Sequence, residues 1–419
     1  MANNKKPINA GAVYADKMTD KAVYDALCDV YIGGAYCARA ITDAIKNLKE
    51  QRARAFVTSA FYGVLDKNVR LEKIIKELCD RPPQKNAEVL LKQGLYYVGY
   101  SDIPHYAAVN RIVELSKSIG GVFGGFINAV LKKSIGYSPK FKSTLERFSY
   151  EHCTPEWLCK MLISDYSETR AASILDAELP SGTHVRPVKG RTTDAEFSEA
   201  CKGLKSTEYG YYCDKNALDK LEGGTYAVQS LSSVKAVRKY AEGLTGGTAL
   251  DLCAAPGGKS VYLYELGDYK ITACDIYPHK LDLMRGYAKK YGAKISVRLN
   301  DATVHNAEFD GAFDLVIADC PCSGTGTLRS RPDILLHRKP SDLAGLNALQ
   351  TKILAASATY PKRGGILCYS TCSVLKCENE RIVRDFLESH SEYTLLDETK
   401  LLPDADACDG FYIARFVRS

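Results

Sequence analysis

The chain lacks any apolar run of signal-peptide or membrane-spanning length. It also lacks a Cys-x-x-Cys pair, the closely spaced ligand pattern that structural zinc usually needs, so we expect no metal site. Its 15 cysteines are odd in number and scattered through apparently regular segments, whereas a secreted disulfide framework is short and dense in cysteine. These absences predict a cytoplasmic protein whose thiols are reduced and mostly buried as small hydrophobic side chains.

The rest of the composition is that of an ordinary globular protein, with 46% hydrophobic and 25% charged residues among 419. At roughly 150 residues per domain, this length predicts two or three domains. Charge is unevenly spread, because residues 1–150 hold 23 lysines and arginines against 14 acidic residues, and the remainder holds 33 against 36. The basic first third indicates either a polyanionic partner or only a soluble basic surface.

Sequence pattern divides the chain into three parts. Residues 1–140 have apolar positions at helical spacing, for example from Phe61 to Leu65, which predicts an all-α domain. Residues 141–228 are mixed in pattern and are predicted to form a linker and a small α+β segment. Strands and helices alternate in residues 229–419, which predicts an α/β domain with a mostly parallel, doubly wound sheet covered on both faces.

Ligands bind at the carboxyl ends of the strands in such a sheet, so the predicted strand ends locate a candidate site. The predicted strands are Thr248–Leu252, Lys270–Cys274, Ile295–Arg298, Phe313–Ala318, Gly365–Tyr369 and Tyr412–Val417. The predicted helices are Lys259–Leu266, His279–Tyr291, Asp342–Tyr360 and Cys377–Ser389. We interpret Glu378 and Asn379 as first-turn residues of the last helix, where acidic side chains suit the helix dipole.

A glycine-rich turn at residues 251–259 follows the first of these strands. Gly257 and Gly258 allow the backbone to approach a ligand, and the next helix begins with unpaired N–H groups. Asp275 follows the second strand, where a carboxylate can accept hydrogen bonds from ribose hydroxyls, and Asp301 follows the third, where the adenine end would lie. The pattern therefore predicts a nucleotide-type cofactor.

The same turn is close to a phosphate-binding loop. Residues 258–260 read Gly-Lys-Ser, but Cys253 stands where that loop requires a glycine, and Pro256 removes one N–H from the phosphate cradle. Asp319 ends an apolar strand, as the magnesium-binding Asp of an NTPase does. An NTPase is therefore the main alternative on these residues.

Two cysteines follow the later strands, Cys322 after Asp319-Cys320-Pro321 and Cys372 after Ser370-Thr371. Carbon 5 of cytosine does not attack a sulfonium methyl group unaided, but addition of a thiolate at carbon 6 makes it nucleophilic. Asp319 is placed to donate a hydrogen bond near ring nitrogen 3, and a second thiol can assist the final elimination. This chemistry leaves open which cysteine attacks.

These motifs resemble those of the bacterial RNA cytosine-5 methyltransferases. The matching segments are residues 251–259 (Asp-Leu-Cys-Ala-Ala-Pro-Gly-Gly-Lys), residues 319–324 (Asp-Ala-Pro-Cys-Ser-Gly, with Cys320 for Ala), residues 371–374 (Thr-Cys-Ser-Val) and residues 409–412 (Asp-Gly-Phe-Tyr). The resemblance implies Cys372 as the nucleophile, Cys322 as the thiol that assists product release, and S-adenosyl-L-methionine as the cofactor. The cofactor contacts that it implies are Cys253, Ala254, Ala255, Pro256, Gly257, Gly258, Lys259, Asp275, Asp301 and Asp319.

The first part of the chain resembles a NusB-type RNA-binding domain, at Gly94–Tyr97, Asp102–His105 and Gly125–Leu131. A NusB-like domain ahead of this methyltransferase is the layout of the RsmB (Sun) family, whose members methylate a cytosine in 16S ribosomal RNA. The resemblance implies 16S ribosomal RNA as the partner, no membrane and a monomer. Alternatives are another RNA as substrate, a DNA cytosine methyltransferase that attacks through Cys322, the NTPase, and a non-catalytic ribosome-assembly factor.

Overall fold

A computed structural model describes residues 17–121 and 123–419. The chain divides into two compact units, the first comprising the residues up to Ser164 together with Arg331–Arg338. The second comprises Asp165–Ser330 and Lys339–Ser419. The domain borders predicted after residues 140 and 228 follow changes in sequence pattern and stay a prediction. No helix in the described part of the chain is long and apolar enough to span a membrane.

The first unit is built of helices, as predicted. They are α1 Lys17–Tyr31, α2 Cys37–Ile45, α3 Gln51–Asp66, α4 Asn68–Leu78, α5 Lys85–Tyr100, α6 His105–Ser118, α7 Gly124–Ser134, α8 Thr144–Glu151 and α9 Glu156–Tyr166. One contiguous apolar core joins α1 to α7, and residues 334–337 add Leu336 to its edge. Asp20 is buried in this core because the guanidinium of Arg111 (2.8 Å) and the hydroxyl of Tyr97 (2.9 Å) donate to it. Removing either partner of such a buried ion pair costs about 3–5 kcal/mol.

Among the remaining helices, α10 precedes the strands of the second unit, α16 belongs to the first unit, and the others lie between the strands of the second unit. They are α10 Glu168–Asp176, α11 Asp194–Ala200, α12 Lys215–Leu218, α13 Leu231–Tyr240, α14 Gly258–Leu266, α15 Pro278–Tyr291, α16 Ile334–His337, α17 Pro340–Ser357, α18 Glu380–Ser389 and α19 Pro403–Asp406.

A small antiparallel sheet forms the predicted α+β segment. Its strands are β1 Thr183–Pro187, β2 Lys205–Thr207, β3 Gly210–Cys213 and β4 Tyr226–Val228, in the order β2-β3-β1-β4. Arg186 of β1 is buried, and its guanidinium donates to both carboxylate oxygens of Glu265 in α14, at 2.7 and 3.0 Å. Its Nε also donates to Gln229 Oε1 at 2.8 Å. This ion pair fixes the small sheet against the helix that follows the glycine-rich turn.

Seven strands of the described chain form the main sheet, in the order β10-β11-β9-β8-β5-β6-β7. They are β5 Gly246–Asp251, β6 Asp268–Asp275, β7 Ile295–Leu299, β8 Phe313–Asp319, β9 Pro361–Thr371, β10 Tyr393–Leu401 and β11 Phe411–Arg418. Pairing is parallel from β9 to β7, whereas β11 is antiparallel to both β9 and β10. Alternate residues of β8 pack into cores on opposite faces of the sheet. Leu315 and Ile317 lie in the core formed with α13, α14 and α15, whereas Val316 and Ala318 lie in the core formed with α17 and α18. The doubly wound sheet covered on both faces is therefore confirmed.

All six predicted strands are present with shifted ends, but β10 was not predicted. This edge strand exposes alternate residues and carries Asp397, Glu398 and Lys400, so it lacks the apolar run that marks its neighbours. The predicted last helix also begins later than expected, at Glu380. Its first turn therefore does not contain Glu378, and the interpretation of Glu378 and Asn379 as first-turn residues is wrong.

Candidate active site

Three parallel strands end side by side and bring their following turns into one crevice. The strands β5, β8 and β9 are neighbours, and they end at Asp251, Asp319 and Thr371. Asp319 pairs with Ser370, and Asp251 pairs with Ile317. The glycine-rich turn and the two cysteine-bearing turns therefore begin at the same edge of the sheet.

The two predicted reactive thiols are in direct contact. The Sγ atoms of Cys322 and Cys372 lie 3.1 Å apart, with Cys322 buried and Cys372 partly buried. The hydrogen bond to Cys372, followed by burial, raises the pKa of Cys322 well above its usual range. Two thiolates at this distance would repel each other, and the raised pKa keeps the proton on Cys322. Cys322 can therefore donate a hydrogen bond to the sulfur of Cys372 whenever Cys372 is the thiolate.

Lys259 and Asp319 form an ion pair beside these thiols. The Nζ of Lys259 lies 2.7 Å from Asp319 Oδ2. Burial acts to lower the pKa of Lys259, but the charge of Asp319 and its hydrogen bond, together with the charges of Asp251 and Cys372, outweigh burial and raise the pKa. Lys259 is therefore an ammonium group that stabilises negative charge on the sulfur of Cys372.

Asp319 is held from its other side by two buried hydroxyls. Ser370 Oγ donates to Asp319 Oδ1 at 2.9 Å. The hydroxyl of Tyr240 in α13 lies 2.6 Å from Ser370 Oγ, and both side chains are completely buried. Because Ser370 uses its proton for Asp319, Tyr240 is the donor to Ser370. The carboxylate is thus fixed in orientation before any substrate binds.

Asn379 fixes the Cys372 turn. Its Nδ2 donates to the carbonyl of Ser373 at 2.9 Å, and Thr371 Oγ1 donates to its Oδ1 at 2.6 Å. These bonds join the residues on either side of Cys372. The sequence gives no signal for this role, because polar residues before a helix more often cap it than bind a neighbouring turn.

Two glycines allow the backbone to pass close behind Cys372. The N–H of Gly326 donates to the carbonyl of Cys372 at 2.9 Å, and the N–H of Gly410 donates to the carbonyl of Gly326 at 2.7 Å. A Cβ added at Gly326 would lie 2.3 Å from the oxygen of Gly410 and 2.9 Å from that of Cys372. Only glycine fits at position 326. Because Gly326 contacts both Cys372 and Gly410, the segment Asp409-Gly410 lies behind the Cys372 turn although it is distant in the sequence.

The glycine-rich turn of residues 253–259 provides a cradle at the start of α14. Gly257 has a φ of +105°, which favours glycine, and its N–H donates to the carbonyl of Ala254 at 2.7 Å. Cβ atoms added at Gly257 and Gly258 would find no neighbouring atom closer than 3.5 and 3.8 Å. A ligand can therefore approach the backbone of this turn.

Asp251 lies below the turn with one oxygen unused. Ser260 Oγ donates to its Oδ2 at 2.6 Å, whereas its buried Oδ1 has no hydrogen-bond partner among the described residues. Burial raises the pKa of Asp251 to about 6, and the nearby charge of Asp319 adds to this effect. A buried carboxylate oxygen without a donor fits a site that a polar or cationic ligand completes.

Asp275 is the last residue of β6, and Asp301 follows β7, the strand at the edge of the sheet. Asp275 is nearly buried and accepts the N–H of Tyr277 at 3.0 Å, and the intervening Ile276 is 48% exposed. This exposed apolar residue offers a surface for a purine ring and was missed because one isolated isoleucine gives no sequence signal. Asp301 accepts the hydroxyl and N–H of Thr303, which lower its pKa, so it is a carboxylate. The residues present therefore fit a nucleoside-containing cofactor.

Two family models match the chain, the 16S rRNA methyltransferase RsmB/F family over residues 243–417 and the NusB family over residues 21–135. A ribosomal RNA small subunit methyltransferase B from Xylella fastidiosa is 30% identical over 407 residues, which cover 90% of this chain and 92% of that protein. The relative of the same name from Photorhabdus laumondii is 30% identical over 385 residues, 85% of this chain and 89% of that protein. The chain belongs to this methyltransferase B family.

A solved structure supports the fold assignment. The crystal structure of PH0851 matches with a TM-score of 0.81 and 22% identity, and it covers 96% of this chain and 99% of that one. A methyltransferase homologue from Pyrococcus horikoshii matches with a TM-score of 0.55 and 22% identity, over 67% of this chain and all of that one. At this identity the likeness concerns the fold alone. The predicted combination of a NusB-like helical domain with a Rossmann-like methyltransferase domain is confirmed.

Proposed function

We propose that this methyltransferase transfers the methyl group of S-adenosyl-L-methionine to carbon 5 of a cytosine in 16S ribosomal RNA. The reaction proceeds through a covalent bond between Cys372 and carbon 6 of the ring. The observation that carries the proposal is the 3.1 Å contact between Cys322 and Cys372 beside the glycine-rich turn. Few reactions need two thiols next to a nucleoside cofactor, and methylation of carbon 5 of a pyrimidine is one.

Cys372 is the attacking sulfur in this proposal. Its thiolate accepts a hydrogen bond from Cys322 and lies in the field of the Lys259 ammonium. On attack, the sulfur forms a bond to carbon 6, and the displaced electron pair makes carbon 5 nucleophilic. Asp319 binds the ammonium group of Lys259 as a carboxylate, so in this proposal the pair donates toward ring nitrogen 3 through an N–H of Lys259.

Bound S-adenosyl-L-methionine supplies an electrophilic methyl group to carbon 5. The turn of residues 253–259 would hold it, with Asp275 on the ribose, Ile276 against the purine and Asp301 at the adenine end. Asp251 Oδ1 is the unused acceptor that supports this placement. Asp319 lies between this cofactor end and the thiols and contacts Lys259 of the turn.

Cys322 acts in the last step of the reaction. Its pKa is high mainly because it faces the Cys372 sulfur, and that cause disappears once Cys372 carries the ring. Cys322 then releases its proton to solvent, and its thiolate accepts the proton from carbon 5. The bond between Cys372 and carbon 6 breaks, and its electron pair returns to the sulfur of Cys372.

The choice of 16S ribosomal RNA rests on the names of the relatives and the NusB family match. A groove of about 620 Å³ on the helical unit, between α6 and α7, supports RNA binding by this unit. It is lined by Tyr106, which is 73% exposed and can stack on a base, and by Lys132, which can neutralise a phosphate. We propose that the enzyme acts as a monomer in the cytoplasm, where the ribosomal subunit is assembled.

Separate cysteine variants test the mechanism. With RNA that contains 5-fluorocytosine, the wild-type enzyme and Cys322→Ala should form a stable covalent adduct, and Cys372→Ala should form none. With unmodified RNA, Cys372→Ala should lose turnover by at least about a thousandfold. Cys322→Ala should turn over slowly while its adduct accumulates. If Cys322→Ala alone abolishes the adduct, the roles are reversed.

Bisulfite sequencing tests the substrate. Ribosomal RNA from cells that lack this gene should lose one 5-methylcytosine in 16S RNA, and a plasmid copy of the wild-type gene should restore it. A plasmid copy with Cys372→Ala should not. Loss of a modified cytosine from transfer RNA or large-subunit RNA instead would contradict 16S RNA as the substrate. It would still be consistent with the proposed cytosine-5 methylation.

A further inference from the structure

Glu378 is a completely buried carboxylate that accepts four hydrogen bonds. Its Oε1 accepts the N–H of Ser323 at 2.8 Å and Nε2 of Gln350 at 3.1 Å. Its Oε2 accepts the hydroxyl of Ser323 at 2.5 Å and that of Ser373 at 2.6 Å. An isolated carboxylate is very costly to bury, so these donors are the reason that Glu378 can occupy this position.

Three of the four donors to Glu378 belong to the residues that directly follow the two cysteines. Ser323 directly follows Cys322, and Ser373 directly follows Cys372. Gln350 also donates to the carbonyl of Pro321, the residue before Cys322, at 3.0 Å. One carboxylate thus joins two turns that follow different strands and lie about fifty residues apart in the chain.

We propose that Glu378 is a positioning residue that sets the separation of the Cys322 and Cys372 sulfur atoms. It acts through the serines that it binds, and it does not touch the reacting atoms. The meaning of this separation rests on the proposed function, because proton removal from carbon 5 requires a second sulfur close to the attacking one. A misplacement of about 1 Å can reduce a rate by roughly a hundredfold.

Glu378 also contributes charge. Its negative charge is among the causes that raise the pKa of Cys322, after the bond to Cys372 and burial. Loss of this charge alone would therefore make Cys322 ionise more easily and react faster with an oxidant. Loss of the positioning role would make a bond between the two sulfurs slower. The rate of disulfide formation should therefore rise if Glu378 acts only through its charge and fall if it acts by positioning the two sulfur atoms.

The test measures how fast Cys322 and Cys372 can be joined. Diamide is a two-electron oxidant that takes two hydrogens from a pair of thiols and leaves one S–S bond. Peptide mass spectrometry then gives the rate at which the cross-linked Cys322–Cys372 peptide forms. Wild type and the control variant Glu388→Gln, whose carboxylate is 70% exposed on α18, the helix that follows Glu378, should cross-link at the same rate.

Glu378→Gln keeps the size of the side chain but loses its charge and half of its accepting capacity. We expect the cross-linking rate to fall at least about tenfold while the thermal unfolding midpoint still shows a folded protein. A folded Glu378→Gln variant that cross-links at the wild-type rate or faster would overturn the proposal. If this variant does not fold, the double variant Ser323→Ala, Ser373→Ala replaces it, because it removes both hydroxyl donors and retains Glu378. The same fall in cross-linking rate is expected, and an unchanged rate would overturn the proposal.

Kinetics provide a second readout. Glu378→Gln should lower kcat by roughly thirtyfold to a hundredfold and leave KM for S-adenosyl-L-methionine unchanged, because no bond of Glu378 reaches the cofactor turn. An increase of KM with unchanged kcat would contradict a role at the thiols. If the wild-type enzyme methylates no RNA, the proposed function fails, whereas the cross-linking result stands independently.

Discussion

The thiol end and the cofactor end of the crevice differ in how their buried polar groups are bonded. At the thiol end, both oxygens of Glu378 and both polar atoms of the Asn379 amide bind neighbouring turns. At the cofactor end, Asp251 Oδ1 and Asn300 Nδ2 are buried without a hydrogen-bond partner in the part of the chain that is described. Gln350, which keeps one unbonded oxygen, is an exception at the thiol end.

This difference follows from what each end must do. Groups that form and break bonds have to be placed before the substrate arrives, so the protein holds them through its own hydrogen bonds. Groups that bind a cofactor complete their hydrogen bonding when the ligand arrives, and they retain unused acceptors and donors until then. Unsatisfied buried atoms therefore mark the cofactor end, and fully bonded ones mark the reacting end.

The variant Lys259→Gln tests whether Lys259 acts at the thiol end or at the cofactor end of the crevice. Among the variants that compare the two ends, we expect it to give the largest change in rate. Lys259→Gln removes the ammonium beside Cys372, so the rate of adduct formation with 5-fluorocytosine RNA should fall by roughly a hundredfold to a thousandfold. Cofactor affinity, measured by calorimetry, should change much less. The control Lys280→Gln, 3.6 Å from Asp275, should affect neither the adduct nor the fold. A larger effect of Lys259→Gln on cofactor affinity than on the adduct would assign Lys259 to the cofactor end.

A matched pair of glycine substitutions compares the two ends directly. Gly326→Ala forces a Cβ against the carbonyls of Gly410 and Cys372, so we expect a loss of about 1–3 kcal/mol of stability and roughly a hundredfold lower methyl transfer. Gly258→Ala meets no such neighbour and should leave the unfolding midpoint nearly unchanged while it weakens cofactor binding about tenfold. Denaturant unfolding and calorimetry give both numbers. Equal destabilisation by the two variants would contradict the proposed difference between the tightly packed thiol end and the open cofactor end.

The raised pKa of Asp251 predicts a smaller effect, a dependence of cofactor affinity on pH. Its pKa of about 6 means that a cationic cofactor, which favours the ionised carboxylate, must displace a proton below that pH. Affinity for S-adenosyl-L-methionine should therefore fall as pH drops from 7 to 5, by about tenfold at pH 5, and Asp251→Asn should remove this dependence. Calorimetry over this range measures it, and an equally steep curve for Asp251→Asn would rule out Asp251 as its cause.

Without the cofactor, the stability contribution of Asp251 has its own pH dependence. The folded state holds the proton more tightly than the unfolded chain, where the pKa is near 3.8. The stabilisation from this group is therefore complete below about pH 3.8 and is lost as pH rises through about 6.

The sequence was sufficient to locate the strand ends and therefore the residues that we propose as the reacting groups. Asp319, Cys322 and Cys372 each follow an apolar run, and the parallel register of β8 and β9 brings the two runs to one edge. The supporting groups were not predictable, because Glu378 and Gly326 are recognised only by partners that lie far away in the chain. Ile276 was missed for a different reason, since its exposure depends on how the fold covers its neighbours.

The position of β11 has a consequence for the order in which the enzyme becomes active. This strand follows all others in the chain, yet it lies inside the sheet between β10 and β9. β9, which Cys372 directly follows, therefore gains its second neighbouring strand, and the Cys372 turn gains the Gly410 contact behind it, only when residues 410–418 have been synthesised. A nascent chain that has not yet been extended through these residues therefore lacks the completed pocket, and methyl transfer requires them.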